Sequence, residues 1–534
     1  MLAVVMDEVA PTDMVVGELL RTRASAVPDR PFLHFAGEPA AATFGTVAAA
    51  ADRNAAALHA LEVRAGEPVA LMMPNSVAYV ELYFGLAHRG APVVLVNTAF
   101  RGYMLEYVLN DSGCRTLVVD AAYLPTVLAS ADQLSTLEQL VVVGDTSALP
   151  EWRERFARLR LATLDPAAPA VEPARVSHTD LHCVVYSSGT TGPSKGIMIS
   201  HAHAVVKAME VIRICGFTPA DVLYSPLPLF YSMGLLRGVL SVLLTGASIV
   251  LRDRFSVSAY WEDVRAYGAT VGHTVFALPQ MLASAEPTDR DADNPLRCMF
   301  NAQHDPAFEK RFGVRLIEGY GLTEAGNAIY SRLDEPAVPG SCGRVSPEWD
   351  VLLADPDGFP VPDGEPGEIL LRPRLPHRVM LGYLHKAEAN ARATRDLWLH
   401  TGDLARRDAE GFYYFHGRLK DMIRRRGQNI SGWEVEQMLL EHPDVADAAA
   451  VAYPSEVGED DLRVVLVARE GATLDLAEVA AFCARRMPDY MTPRYLETVG
   501  ELPKTPSGRV EKYKLADAPL GAGAHDLGPG RKRP

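Results

Sequence analysis

Residues 186–196 read YSSGTTGPSKG, a run of serines, threonines and glycines closed by Lys195. These residue types suit a phosphate cradle. Glycines admit positive φ and let the backbone approach a ligand, hydroxyls and N–H groups point at oxyanions, and the lysine neutralises their charge. A second glycine-rich stretch, EGYGLTEAG at residues 318–326, is read as a polar loop following a strand at 314–317. Alone, its Glu324 reads as a solvated loop carboxylate. Opposite a phosphate cradle it is the hard oxygen ligand that phosphate-bound Mg2+ requires. A third stretch, LYSPLPLFYSMG at residues 223–234, is too rich in proline for a regular helix. By itself its aromatic cluster reads as core packing.

These stretches need a scaffold. The spacing at 186–196 departs from G-x-x-x-x-G-K-[ST], and the flanking apolar runs 183–185 and 197–199 predict strand–loop–strand, not strand–loop–helix. A plain hairpin turn is the competing reading. Helical apolar spacing over 15–26 and 79–88 alternates with strand-like runs at 68–73, 91–96, 116–119 and 140–143. That alternation predicts α/β layering. Residues 165–177 form a connector, and 238–251 an apolar block. Between 340 and 415, short strands and tight turns predict a small β-rich subdomain. HTGDL follows at 400–404, then a basic segment at 418–427, which is either a solvated face or a flexing linker. Helix 434–441, strands 445–452 and 463–468 and helix 476–487 complete a compact C-terminal pattern. The last residues, GAGAHDLGPGRKRP, have the composition of a disordered tail.

At 534 residues the chain calls for two or more domains. Apolar residues at 48% and charged residues at 22% are those of a soluble globular protein. A formal net charge of -15 argues against nucleic acid or an anionic membrane as partner, so an anionic substrate needs a local basic site. The cysteines are widely spaced without C-x-x-C, as buried thiols of a reducing cytosol would be. The N-terminal residues lack a basic leader, and no apolar run is long enough for a membrane span. A cytoplasmic location is expected.

In this order the pieces resemble the adenylate-forming superfamily of acyl-CoA synthetases, peptide-synthetase adenylation domains and firefly-type luciferases. The matching motifs run from Tyr186 to Leu515. The chain looks most like the medium-chain and carnitine- or crotonobetaine-type acyl-CoA ligases. The resemblance implies an α/β fold: a large N-terminal domain (residues 1–418) of two α/β subdomains and a β-barrel, a hinge at 419–420, and a small mobile C-terminal α+β domain at 421–515. Residues 516–534 would be the tail. It implies ATP- and Mg2+-dependent activation of a small-molecule acid, pyrophosphate release, and transfer from the acyl-AMP to CoA. Ser187, Ser188, Gly189, Thr190, Thr191, Gly192 and Lys195 would wrap the β- and γ-phosphates. Tyr320 would pack on adenine beside Gly321, Thr323 would contact the α-phosphate, and Glu324 would hold Mg2+. Asp403 and Arg418 would bind the ribose hydroxyls, and Lys420 would sit at the hinge. Gly427, Gln428, Asn429 and Trp433 belong to the loop lining the pantetheine channel. The acid pocket would involve Tyr231, Ser232, Met233, Phe276, Ala302, Gln303 and Gly321.

The chain departs from the family pattern at the chemistry. Arg509 stands where relatives usually carry the lysine that bridges carboxylate and α-phosphate; a guanidinium keeps the charge with a different reach and shape. Tyr231 replaces a histidine common beside the acyl site, and residues 301–304, NAQH, replace the usual Gly-Gly-Ala. These changes leave other outcomes open. One is transfer to a free-standing carrier protein, docked by Arg424–Arg426, or to an amine, including diazotase-type activation of nitrite. Another is a catalytically silent nucleotide-binding homologue. Homodimers are common in the resembling families.

Overall fold

The computed structural model describes residues 10–147, 149, 151–152, 158–187, 194–275, 277–419, 422–425, 428–455, 460–487, 491–505, 508–521 and 523–528. Two compact units form. The first gathers the chain up to Ser187, Ser194–Asp350 and Pro373–Ala391; the second gathers Val351–Arg372 and the residues from Arg392 onward.

In the first unit an eight-stranded sheet has the order Gly382–Tyr383, Lys195–Ser200, Leu181–Ser187, Val93–Leu95, Val69–Met72, Thr116–Asp120, Gln139–Val143, Arg160–Ala162. The central strands are parallel and almost wholly buried, which explains their unbroken Val/Leu runs. The helix Phe44–Ala60 starts on a reciprocal capping box between Thr43 and Thr46. Val77–His88 starts on Ser76, whose hydroxyl accepts from the Tyr79 amide. Leu181–Ser187 and Lys195–Ser200 pair antiparallel with Ser187 opposite Lys195, so the predicted strand–loop–strand is present.

A seven-stranded sheet runs Arg315–Ile317, Cys298–Phe300, Val271–His273, Val222–Ser225, Ser248–Leu251, Pro31–Phe35, Ala42–Thr43, parallel except for the last pair. Its first four strands lie side by side, and three of the segments leaving their C-terminal ends belong to stretches singled out from the sequence: 226–234, 301–304 and 318–326. Ligands of open α/β sheets bind at that edge. The apolar block 238–251 divides where Gly246 takes φ 74° between the helix Leu240–Thr245 and the strand Ser248–Leu251. Residues 318–326 are not wholly loop as expected. Gly319–Gly321 is a strand paired with Asn327–Tyr330, leaving a tight turn between them.

A four-stranded sheet lying mostly in the second unit, Trp349–Ala354, Gly367–Pro373, Leu399–Arg407 and Tyr413–Arg418, its last three strands paired antiparallel, stands where short strands are expected. Beyond it, the hairpin Met422–Arg425/Gln428–Ser431 and the helices Gly432–Leu440 and Leu476–Arg486 accompany a sheet of Val445–Pro454, Asp460–Ala468, Tyr495–Thr498 and His525–Asp526. Ile423, Ile430, Leu439, Val464, Val479 and Leu496 belong to their common core. The tail expected to be disordered is held in part: His525–Asp526 pairs with Tyr495–Thr498, and the buried Arg463 donates to the carbonyls of Ala518 and Pro519. A composition poor in apolar residues does not reveal that a distant guanidinium will bind its carbonyls.

Candidate active site

Ser187 ends one strand and Lys195 begins the next. Ser188, Gly189, Thr190, Thr191 and Gly192 lie outside the described residues. Tyr186 is buried and its hydroxyl donates to Asp111 at 2.9 Å, while Lys386 Nζ holds the other Asp111 oxygen at 2.9 Å. Burial, then the Asp111 charge, pushes the Tyr186 phenol far above its usual range, so it stays a neutral donor.

Lys195 is exposed, and its Nζ lies 4.7 Å from the centroid of the Tyr383 ring. Tyr383 comes from the short edge strand Gly382–Tyr383 and donates its hydroxyl to Glu324 Oε1 at 3.0 Å. One tyrosine therefore touches both the cation of the first polar stretch and the carboxylate of the second. The Glu324 carbonyl also accepts from the Met380 amide at 2.7 Å. Tyr383 was not legible as a site residue from the sequence.

The turn bearing Thr323 and Glu324 is fastened from below by the helix His201–Cys215, which carries charges in an otherwise apolar, buried run. Lys207 is fully buried and donates to the carbonyls of Leu322 and Ala325. Burial, aided by Arg237, lowers its pKa to about 7. Glu210 accepts from the Asn327 amide at 2.9 Å and lies 3.4 Å from Arg378 Nη1. Gly321 and Gly326 are required by close approach: a Cβ on Gly321 would meet Asn327 Oδ1 at 2.4 Å, and one on Gly326 would meet both Glu210 oxygens at 2.1 Å. Tyr320 is buried on the strand that leads into this turn.

Among the acid-pocket residues, Ser232 and Ala302 are buried, Tyr231 and Met233 half-buried, and Gln303 exposed; Phe276 lies outside the described residues. The Tyr231 hydroxyl accepts from Asn97 Nδ2 at 3.1 Å. Asn301 has φ 69°, a conformation that glycine adopts freely and that asparagine tolerates better than most other residues. Its side chain donates to the Thr274 carbonyl at 3.2 Å, tying two of the strand-end segments together.

In the second unit Asp403 and Arg418 are register partners on adjacent strands, with Arg418 Nε 3.2 Å from Asp403 Oδ1. The approach to Asp403 is set by Glu368, which accepts from the Gly402 amide at 3.0 Å and pairs with His400 Nδ1 at 3.0 Å. Arg509 is exposed on a closed loop. Its carbonyl accepts from the Thr505 amide at 2.7 Å and its amide donates to Thr505 Oγ1 at 3.1 Å, with Gly508 at φ 81° making the turn. The neighbouring lysines are engaged: Lys504 with Asp447 at 2.6 Å and Lys512 with Glu436 at 2.7 Å. Trp433 stands edge-on to Phe415, with ring centroids 6.1 Å apart. Gln428 and Asn429 lie on the strand Gln428–Ser431, while Lys420 and Gly427 lie outside the described residues. Among the described residues no cluster of three or more His, Cys, Asp or Glu could form a metal site by itself, and no helix is long and apolar enough to cross a membrane.

Residues 20–384 match the family model of the AMP-binding enzymes, and residues 434–509 that of the AMP-binding enzyme C-terminal domain. The chain belongs to the AMP-binding enzyme family and is an adenylate-forming ligase, with a large N-terminal domain and a smaller C-terminal one. It is 33% identical over 511 residues to the sulfoacetate–CoA ligase of Cupriavidus necator, covering 93% of this chain and 96% of that protein. It is 31% identical to a crotonobetaine/carnitine–CoA ligase of Salmonella paratyphi A, covering 87% and 91%. Its fold matches that of an anthranilate CoA ligase in complex with anthranoyl-AMP, with TM-score 0.80, 27% identity and coverage of 93% and 96%. It also matches the o-succinylbenzoate CoA synthetase of Bacillus subtilis in complex with AMP, with TM-score 0.80, 25% identity and coverage of 94% and 98%.

Proposed function

We propose that the protein is an acid:CoA ligase that activates a small acid with ATP and Mg2+ and passes the acyl group to CoA. The observation that carries this reading is the meeting of Lys195 and Glu324 on Tyr383. A cation beside a hard-oxygen ligand is the charge pattern that a metal–phosphate ligand demands. The names of the relatives as CoA ligases support CoA as the acceptor.

In the first half-reaction a carboxylate oxygen of the acid attacks the α-phosphorus of ATP, and pyrophosphate leaves with the electrons of the broken P–O bond. In the second, the CoA sulfur attacks the acyl carbon and AMP leaves. Positioning and charge neutralisation supply most of the rate. Residues 187–192 and Lys195 hold the β- and γ-phosphates, and Thr323 the α-phosphate. Glu324 fits Mg2+, which when bound supplies screening of the phosphate charge. Tyr320 packs on adenine, Asp403 accepts from the ribose hydroxyls, and Arg418 holds that carboxylate in place. Arg509 supplies the charge at the α-phosphate. The domain at 421–515 turns about the hinge at 419–420 between the two steps, carrying residues 427–433 to the pantetheine channel.

Pyrophosphate release from ATP, measured across a panel of acids with and without CoA, amines and nitrite, tests the reading. Acid-dependent release with thioester formed only when CoA is present is the expected result. Release driven by nitrite, or product formed only with an amine, would replace it.

A further inference from the structure

One buried charge has no place in the reading above. Arg237 lies in the π-helical turn Leu235–Val239, directly after the acid-pocket residues Tyr231, Ser232 and Met233. It is 7% exposed, and its Nε and Nη2 have no hydrogen-bond partner among the described residues. A buried guanidinium with unpaired N–H groups is costly unless something completes it.

The buried carboxylate whose charge reaches it, Glu210, makes its hydrogen bonds to other groups. Glu210 accepts from the Asn327 amide and lies beside Arg378. Lys207, a buried cation on the helix His201–Cys215, donates to the Leu322 and Ala325 carbonyls.

The turn that carries Arg237 adjoins the acid-pocket residues. The Arg237 amide donates to the Ser232 carbonyl at 2.9 Å, a five-residue span that makes the wide turn, and π-helical turns concentrate at functional sites. Ser232 Oγ is also buried without a partner among the described residues. His273, at the C-terminal end of its strand, borders the same turn: a Cβ on Gly238 would lie 3.7 Å from its Nδ1. Burial and the nearby Arg237 charge lower the His273 pKa to about 3, so it faces the arginine as a neutral ring.

We propose that Arg237 receives a second anionic group on the acid substrate, so that the enzyme prefers short dianionic acids, dicarboxylates or sulfocarboxylates, over monocarboxylates and acids with a cationic end. This deepens the ligase reading and rests on it. A guanidinium offers paired N–H donors matched to carboxylate or sulfonate oxygens, and burial strengthens such a charge-assisted pair. In a chain of net charge -15, a buried arginine beside the pocket is also what would draw a dianion in.

The test compares kcat/KM for pyrophosphate release with malonate, succinate and sulfoacetate against acetate, butyrate and a trimethylammonio acid, in wild type, Arg237→Met and Arg237→Lys. A dianion should lead its monoanionic analogue by about a hundredfold in wild type. Arg237→Met should collapse that ratio, and Arg237→Lys should lower it by about tenfold, because an ammonium keeps the charge without the fork. Wild-type preference for a monoanion or a cationic acid overturns the proposal, as does a dianion ratio unchanged in Arg237→Lys should the methionine variant not fold. If no acid supports turnover, the ligase reading fails, and thermal shift with succinate and sulfoacetate then decides. Stabilisation present in wild type and absent in Arg237→Lys or Arg237→Met supports the anion site, and no stabilisation of wild type overturns it.

Discussion

The Tyr383 hydroxyl donates to Glu324 Oε1 at 3.0 Å while the face of the same ring carries Lys195 Nζ 4.7 Å from its centroid. Tyr383 thereby fixes a carboxylate and steadies a cation that come from different loops. Tyr383→Phe keeps the ring face and removes the donor. A hydrogen bond to a charged group contributes about 1.5–3 kcal/mol, so adenylation should fall by about tenfold to a hundredfold and need more Mg2+. A Mg2+ titration of the rate matching wild type would count against the coupling.

Glu324→Gln should abolish Mg2+-dependent pyrophosphate release while leaving the fold intact. The turn keeps its backbone bond from Met380 and its support from Lys207, neither of which involves the Glu324 carboxylate. Near-normal release with an unchanged melting temperature would remove Glu324 from the metal.

Arg509→Ala should lower adenylation by about two to three orders of magnitude, the usual cost of removing one charge-stabilising donor. It should spare thioester formation from a preformed acyl-AMP. Lys504 and Lys512 are engaged by Asp447 and Glu436, so Lys504→Ala and Lys512→Ala should act far less on pyrophosphate exchange. The opposite pattern moves the catalytic charge to a lysine. Treatment with a lysine acetylase should not silence adenylation through position 509, because an arginine stands there.

Burial pushes the Glu318 carboxyl up to about 7, and its Oε2 has no hydrogen-bond partner among the described residues. Its folded pKa thus lies above its unfolded one, so between about pH 4.5 and pH 7 the native state keeps a proton that the unfolded chain has lost. Stability should fall with rising pH across that window by up to about 3 kcal/mol and then level off. Glu318→Gln should flatten the decline. Melting temperatures of both forms at about pH 5 and about pH 8 check it: an advantage for the variant that does not grow with pH refutes the assignment.

Much of the site was legible because its signals are local. The apolar runs around residues 186–196 specify two strands, and their observed pairing sets Ser187 opposite Lys195. Asp403 and Arg418 are expected to act together on the ribose, and the pairing of their strands makes them register partners. The supports were not legible. Lys207 and Glu210 lie one helical turn apart in a buried apolar helix, a signal that could have been read as a buried polar pair. Tyr383 carried no signal at all, being one aromatic in a two-residue strand.

The alternation of elements, the loops that carry glycine and hydroxyl groups, and the membership in an adenylate-forming family can be read along the chain, because each depends on residue type and short-range spacing. Which distant groups meet depends on how the elements pack. Strand order in the eight-stranded sheet sets Tyr383 against Lys195–Ser200 and so onto Glu324. The packing of the helix His201–Cys215 beneath the Thr323–Glu324 turn gives Lys207 two carbonyl acceptors, while Arg237 Nε and Nη2 find no hydrogen-bond partner among the described residues. Burial and hydrogen-bond satisfaction belong to the whole packed interior, where each buried group competes for the same few partners, and no stretch of chain carries that information alone.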